Sequence, residues 1–193
     1  SELSDIKYVS LENENPVTVG NDDGDQRVFL GHSKGGVTEI CSGESTSLSM
    51  ADSSVSAIEF NGGLVAGLES GEVFVGEGFG SWSTDIGGSV ETVSIGPSLD
   101  GESGIWASTW SNEAKLTMIE LSSGNVKLDV SHPSRISSVC SSGKTICFGD
   151  SSGLIFILEQ EVLRRRFSQS DEESDKGKER LAMREKIRGL RRG

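Results

Sequence analysis

The stretch Ile136–Leu158, "ISSVCSSGKTICFGDSSGLIFIL", decides the architecture. Three short apolar runs are separated by small polar residues and glycine, and none is long enough for a helix. "SSG" punctuates it at 141–143 and again at 151–153, so the stretch reads as three strands joined by tight turns. Gly153 stands where a hairpin needs positive φ. In the last run Ile155 and Ile157 share one face and Phe156 and Leu158 the other. Both faces are apolar, which predicts an inner strand buried on both sides.

The pattern repeats upstream. "VSAIEF" (55–60) precedes "GGLVAGLESGEVFV" (62–75), and "VETVSI" (90–95) precedes "SGIWASTWSNEAKLTMIEL" (103–121). Each unit has an alternating strand, a strand of small residues, a polar turn and a third apolar strand. Weaker fourth strands follow at "SWSTDI" (81–86) and "NVKLDV" (125–130). Unit starts at 55, 90 and 136 bracket the roughly 40–45 residues of a four-stranded propeller blade. The N-terminal segment fits the same template with "IKYVSL" (6–11), "PVTVG" (16–20), "QRVFLG" (26–31) and "GVTEIC" (36–41).

"DVSHPSRISSVCSSGKTICFGDSSGLIFIL" (129–158) resembles a WD40-type β-propeller blade, with His132, Val139, Gly149, Asp150, Gly153 and Ile157 at that family's pattern positions. No Trp-Asp dipeptide closes a third strand, so a degenerate PQQ-like propeller is the alternative. The resemblance implies an all-β toroid of radial four-stranded antiparallel sheets whose loops and central channel bind partners. It also implies that His132 ties an inter-blade loop to a neighbouring strand. About four units are at the low end of the 4–8 blades of a ring. The expectation is therefore part of a larger propeller or, second, a ring completed with another chain.

Composition agrees with a folded β domain. Twenty-five Gly are scattered as turns, only three Pro occur, and most of the few aromatics lie inside the apolar runs. The formal charge of −12 predicts a soluble body that repels nucleic acid and anionic membrane, and would suit a high-salt organism. No apolar run approaches the ~20 residues of a membrane span, and a cytoplasmic location is expected. Cys41, Cys140 and Cys147, with no CxxC, read as buried reduced thiols in strands.

After Leu158 the character changes. "EQEVLRRRF" (159–167) extends the last strand or forms a short helix, closing a propeller region over 1–167. "SQSDEESDKGK" (168–178) reads as an acidic linker. "ERLAMREKIRGL" (179–190) spaces Met183, Ile187 and Leu190 as a narrow helical stripe. From Lys176 onward the chain carries net +6, against −18 before it. The basic amphipathic tail over 168–193, with Arg180, Arg184, Lys186, Ile187, Arg188, Leu190, Arg191 and Arg192, is the candidate partner-binding element. It can also fold back on the acidic body, and nucleic-acid contact is expected only through it.

Catalytic motifs are absent. His32 and His132 are the only histidines, and no G-x-S-x-G occurs. "GNDDGDQ" (20–26) gathers Asp22, Asp23 and Asp25 around Gly24, but no Glu closes it as a calcium loop would require. An acidic hairpin is the simpler reading, and "PSLDGES" (97–103) is weaker still. "GEGFGSW" (76–82) lacks the helix that would hold a phosphate. Trp106 and Trp110 lie on one side of a strand, and with Trp82 serve packing or stack a sugar or peptide. The expectation is a non-enzymatic scaffold for protein–protein contact, with no cofactor and no metal. The alternative is a propeller with a small-ligand, sugar or metal site on its loop face, possibly enzymatic. Convergence of Asp, His and Asn on the channel would favour the second.

Overall fold

The computed structural model describes residues 16–22, 27–42, 44–49, 52–76, 78 and 80–166. Among them fifteen strands form four antiparallel sheets, each a meander in chain order. The first comprises β1 (Pro16–Asp22), β2 (Arg27–His32), β3 (Gly36–Cys41) and β4 (Glu44–Ser49). The second has β5 (Val55–Phe60), β6 (Leu64–Leu68), β7 (Glu72–Val75) and β8 (Trp82–Asp85). The third has β9 (Ser89–Pro97), β10 (Ser103–Trp110), β11 (Ala114–Glu120) and β12 (Val126–His132). The fourth holds three strands, β13 (Ile136–Ser142), β14 (Thr145–Asp150) and β15 (Ile155–Glu159), and a short helix, α1, follows at 160–166.

The hairpins joining second and third strands share one chemistry in sheets one, two and four. Gly35, Gly71 and Gly153 have φ of 81°, 97° and 87°, and each donates its N–H to the carbonyl three residues back, His32, Leu68 and Asp150, at 3.0–3.1 Å. A side chain would be strained at that φ, which is why glycine recurs there.

The sheets stack face to face through their first strands, β1 on β5, β5 on β9 and β9 on β13. This is the arrangement of consecutive propeller blades. Each junction encloses its own core. Phe29, Val37, Val55, Leu64 and Leu68 fill the first, where the Phe29 and Phe60 rings stack at 4.7 Å with the Arg27 guanidinium over Phe60. Val65, Val73, Val75, Val90, Ile105 and Ile119 fill the second. Trp106, Met118, Ile136, Ile146 and Phe148 fill the third.

Three expectations change. Among the described residues the first sheet starts at Pro16, and the expected strand at 6–11 lies outside them. Its fourth strand is "ESTSLS" (44–49), whose single large apolar residue, Leu48, gave no alternation to read. "LGHSKGGVTEI" forms the β2–β3 hairpin. The strand β15 is not buried on both faces. Phe156 and Leu158 pack toward the third sheet, while Ile155 and Ile157 are 77% and 66% exposed. Nor are the cysteines buried. All three are free and lie in strands, but Cys140 is exposed and Cys41 and Cys147 are half-buried. Cys140 and Cys147 pair across β13 and β14 on the same open face as Ile157.

Candidate functional site

His132 ends β12 and reaches the fourth sheet. Its Nε2 lies 2.8 Å from Asp150 Oδ2. Asp150 Oδ1 accepts from the Ser152 hydroxyl at 2.6 Å, the Ser152 amide at 2.9 Å and the Leu154 amide at 3.1 Å. The imidazole meets the stacked rings of Phe148 and Phe156 edge-on at 5.4 and 4.9 Å. The Ser152 hydroxyl first and His132 second, with the Leu154 and Ser152 amides, hold the Asp150 carboxyl down at about 2 against the opposing effect of burial. Both carboxylate oxygens are occupied and the side chain is buried. The pair is an inter-sheet strut, the use expected for His132.

His32 is also taken up internally. It is buried in β2, with Nε2 2.8 Å from Thr38 Oγ1. It holds the register position of Asp150, because Pro16 pairs with His32 as Ile136 pairs with Asp150. The histidines therefore stand in different sheets and share no site. Among the described residues no three His, Cys, Asp or Glu side chains converge as a metal site requires.

The tryptophans belong to the core. Trp106 is fully buried and donates Nε1 to the Pro97 carbonyl at 2.9 Å. Trp110 packs on the same cluster. Trp82 donates to the Leu121 carbonyl at 3.0 Å. "GEGFGSW" leads into the strand β8, not a helix. Asp22 ends β1, and 23–26 lie outside the described residues, as do all tail residues from Arg180 to Arg192.

A polar depression that sequence reasoning did not find spans sheets two to four. It has a volume of about 430 Å³ and is lined by Asn61, Gly96, Glu102, Ser141, Lys144 and Gln160 among others. Its walls come from the ends of β5, β9 and β13 and the turns 98–102 and 142–144. Glu102 and Lys144 supply opposite charges. Gln160, the first residue of α1, is buried and donates to the Ser98 carbonyl at 2.7 Å, fixing one wall. Two residues before Asn61 on the same face of β5, burial pushes the Glu59 carboxyl up, while the Ile95 amide and Ser94 hydroxyl pull it down. No motif marks this depression, because its residues are far apart in sequence and individually ordinary.

No family model matches the sequence, and no curated protein matches it. Solved structures do. The computationally designed Ika4 protein aligns with a TM-score of 0.62 at 15% identity, covering 80% of this chain and 98% of that one. The Pan2 WD40 domain of Neurospora crassa gives 0.60 at 19% identity, covering 76% of this chain and 47% of that one. BBS1N, solved in complex with ARL6DN, gives 0.56 at 13% identity, covering 74% and 46%. This chain thus spans about half the length of the Pan2 and BBS1N chains it resembles. At these identities the likeness is one of fold, that of four consecutive β-propeller blades.

Proposed function

We propose that the chain is a non-enzymatic propeller scaffold of the WD40 type that binds another protein. The observation carrying this reading is the use of its two histidines. Each is tied into the fold, His132 by Asp150 and His32 by Thr38, while a polar depression gathers Ser, Asn, Gln and an opposed Glu102 and Lys144. Such a surface recognises backbone amides and carbonyls and a paired charge, as a polypeptide presents them. The BBS1N likeness supports the same reading, since that propeller was solved with a protein bound. Among the described residues no helix is long and apolar enough to cross a membrane. The basic tail adds a salt-sensitive second contact.

The test is affinity capture with the full chain, the chain lacking 168–193, and the charge-reversed Lys144→Glu. A discrete partner retained by the parent and weakened by each change supports the scaffold. Turnover of a small substrate, lost in Lys144→Glu, would contradict it.

A further inference from the structure

Every junction between sheets is built by one device. The second strand carries a small residue, and the first inner-strand residue of the next sheet lies on it. A Cβ built on Gly31 would fall 2.6 Å from Val55 Cγ1, and one on Gly67 2.3 Å from Val90 Cγ1. Ser108 takes this place in the third sheet, and its hydroxyl donates to the Ile136 carbonyl at 3.4 Å. Gly149 is the fourth member. It pairs with Ser138 and Ile155 as Gly67 pairs with Ala57 and Val73, and Ser108 with Thr92 and Leu116.

Among the described residues nothing covers Gly149 from another sheet. A Cβ there would meet only the Ser138 hydroxyl and the Leu154 carbonyl, both of its own sheet. The matched third-strand residues make the same point. Val37, Val73 and Leu116 are 0–4% exposed, whereas Ile155 is 77% exposed. Val75 and Met118 are fully buried at the position where Ile157 is 66% exposed.

The other half of the device stands at the opposite end of the arc. Val55, Val90 and Ile136 each pair just before a register shift in their inner strand or its partner, and Pro16 does the same in β1. The described sheets therefore leave an unfilled socket at Gly149 in the fourth and place Pro16 of the first, by register, where the residues that fill sockets stand.

We propose that a second copy of this chain fills it, Pro16 of each copy docking on Gly149 of the other. The contact is head-to-tail, and two copies use both ends of both arcs, so the assembly closes rather than growing into a fibre. Eight sheets lie within the range of known rings. Ile155, Ile157 and Cys140 become buried in the new junctions.

The test uses the full chain, by sedimentation and native mass spectrometry from low to high micromolar concentration. A dimer is expected. Ile157→Asp alters a residue exposed in the single chain, so it should keep the parent's circular dichroism and weaken dimerisation by more than about ten-fold. In a background with the three cysteines changed to Ser, Pro16→Cys and Gly149→Cys chains should form a disulfide when mixed and oxidised, and neither should do so alone. At the built junctions the knob Cβ lies 2.9 Å from the socket Cβ, near enough for the ~3.8 Å of a disulfide after a small shift. A monomer at every concentration, a dimer that leaves the mixed cysteines unlinked, or an Ile157→Asp chain that unfolds would each overturn the proposal.

Discussion

Gly67 on β6 lies so close to Val90 on β9 that its missing side chain is what lets the second and third sheets meet. The partner residues of these contacts are correspondingly buried, with Val55 and Val90 at 0% and Ile136 at 1% exposed. Ile136→Ala is expected to cost about 2–5 kcal/mol, because it empties a packed site. Ile157→Ala, measured in dilute monomer, should cost less than about 1 kcal/mol, since surface changes rarely exceed that. Urea unfolding of both reads the contrast.

The strut between His132 and Asp150 has an acid-side signature. The Ser152 hydroxyl and His132 hold the Asp150 carboxyl down at about 2, below the ordinary 3.8. A lowered carboxyl contributes stability that is present above its unfolded value and lost as pH falls through the folded one. Asp150→Asn should lower the thermal midpoint at pH 6. Its deficit against the parent should shrink as pH falls from about 4 toward 2. A constant deficit would show that the ionised carboxylate is not what matters.

Glu59 should behave oppositely. Its carboxyl is raised above 4.5 by burial. A raised carboxyl contributes stability below its unfolded value that is lost as pH rises through the folded one. Glu59→Gln should therefore gain on the parent as pH rises from 4 to 7, with little difference at pH 4. Thermal melts across that range test the sign.

The tail prediction rests on charge. Removing 168–193 should leave the thermal midpoint unchanged and reduce partner binding mainly at low salt, because exposed charge contacts are screened. Collapse of the fold on deletion would make the tail a structural clasp instead.

Strand alternation and recurrent Gly turns made sheets two to four legible, since most apolar residues there face a junction. "ESTSLS" was not legible, because an outer strand facing solvent needs few apolar residues. Ile155 and Ile157 misled for a physical reason. Apolar side chains state that a face is meant to be covered, but not whether the covering sheet is in place. His132 was readable through its blade-like surroundings, whereas His32 was not, since its role depends on pairing register. Glu59, Glu102 and Lys144 were invisible, being single charges on separate strands and turns that only packing brings together.

The open junction is tested most directly by adding the same side chain to two matched glycines and measuring unfolding of the dilute chain. Gly67→Val places atoms inside Val90 and should cost about 1–3 kcal/mol or more, as overpacking a tight site does. Gly149→Val meets only the movable Ser138 hydroxyl within 3 Å and should leave the midpoint of the monomer unchanged. Equal losses at the two positions would show that the fourth sheet is already covered and would contradict the account.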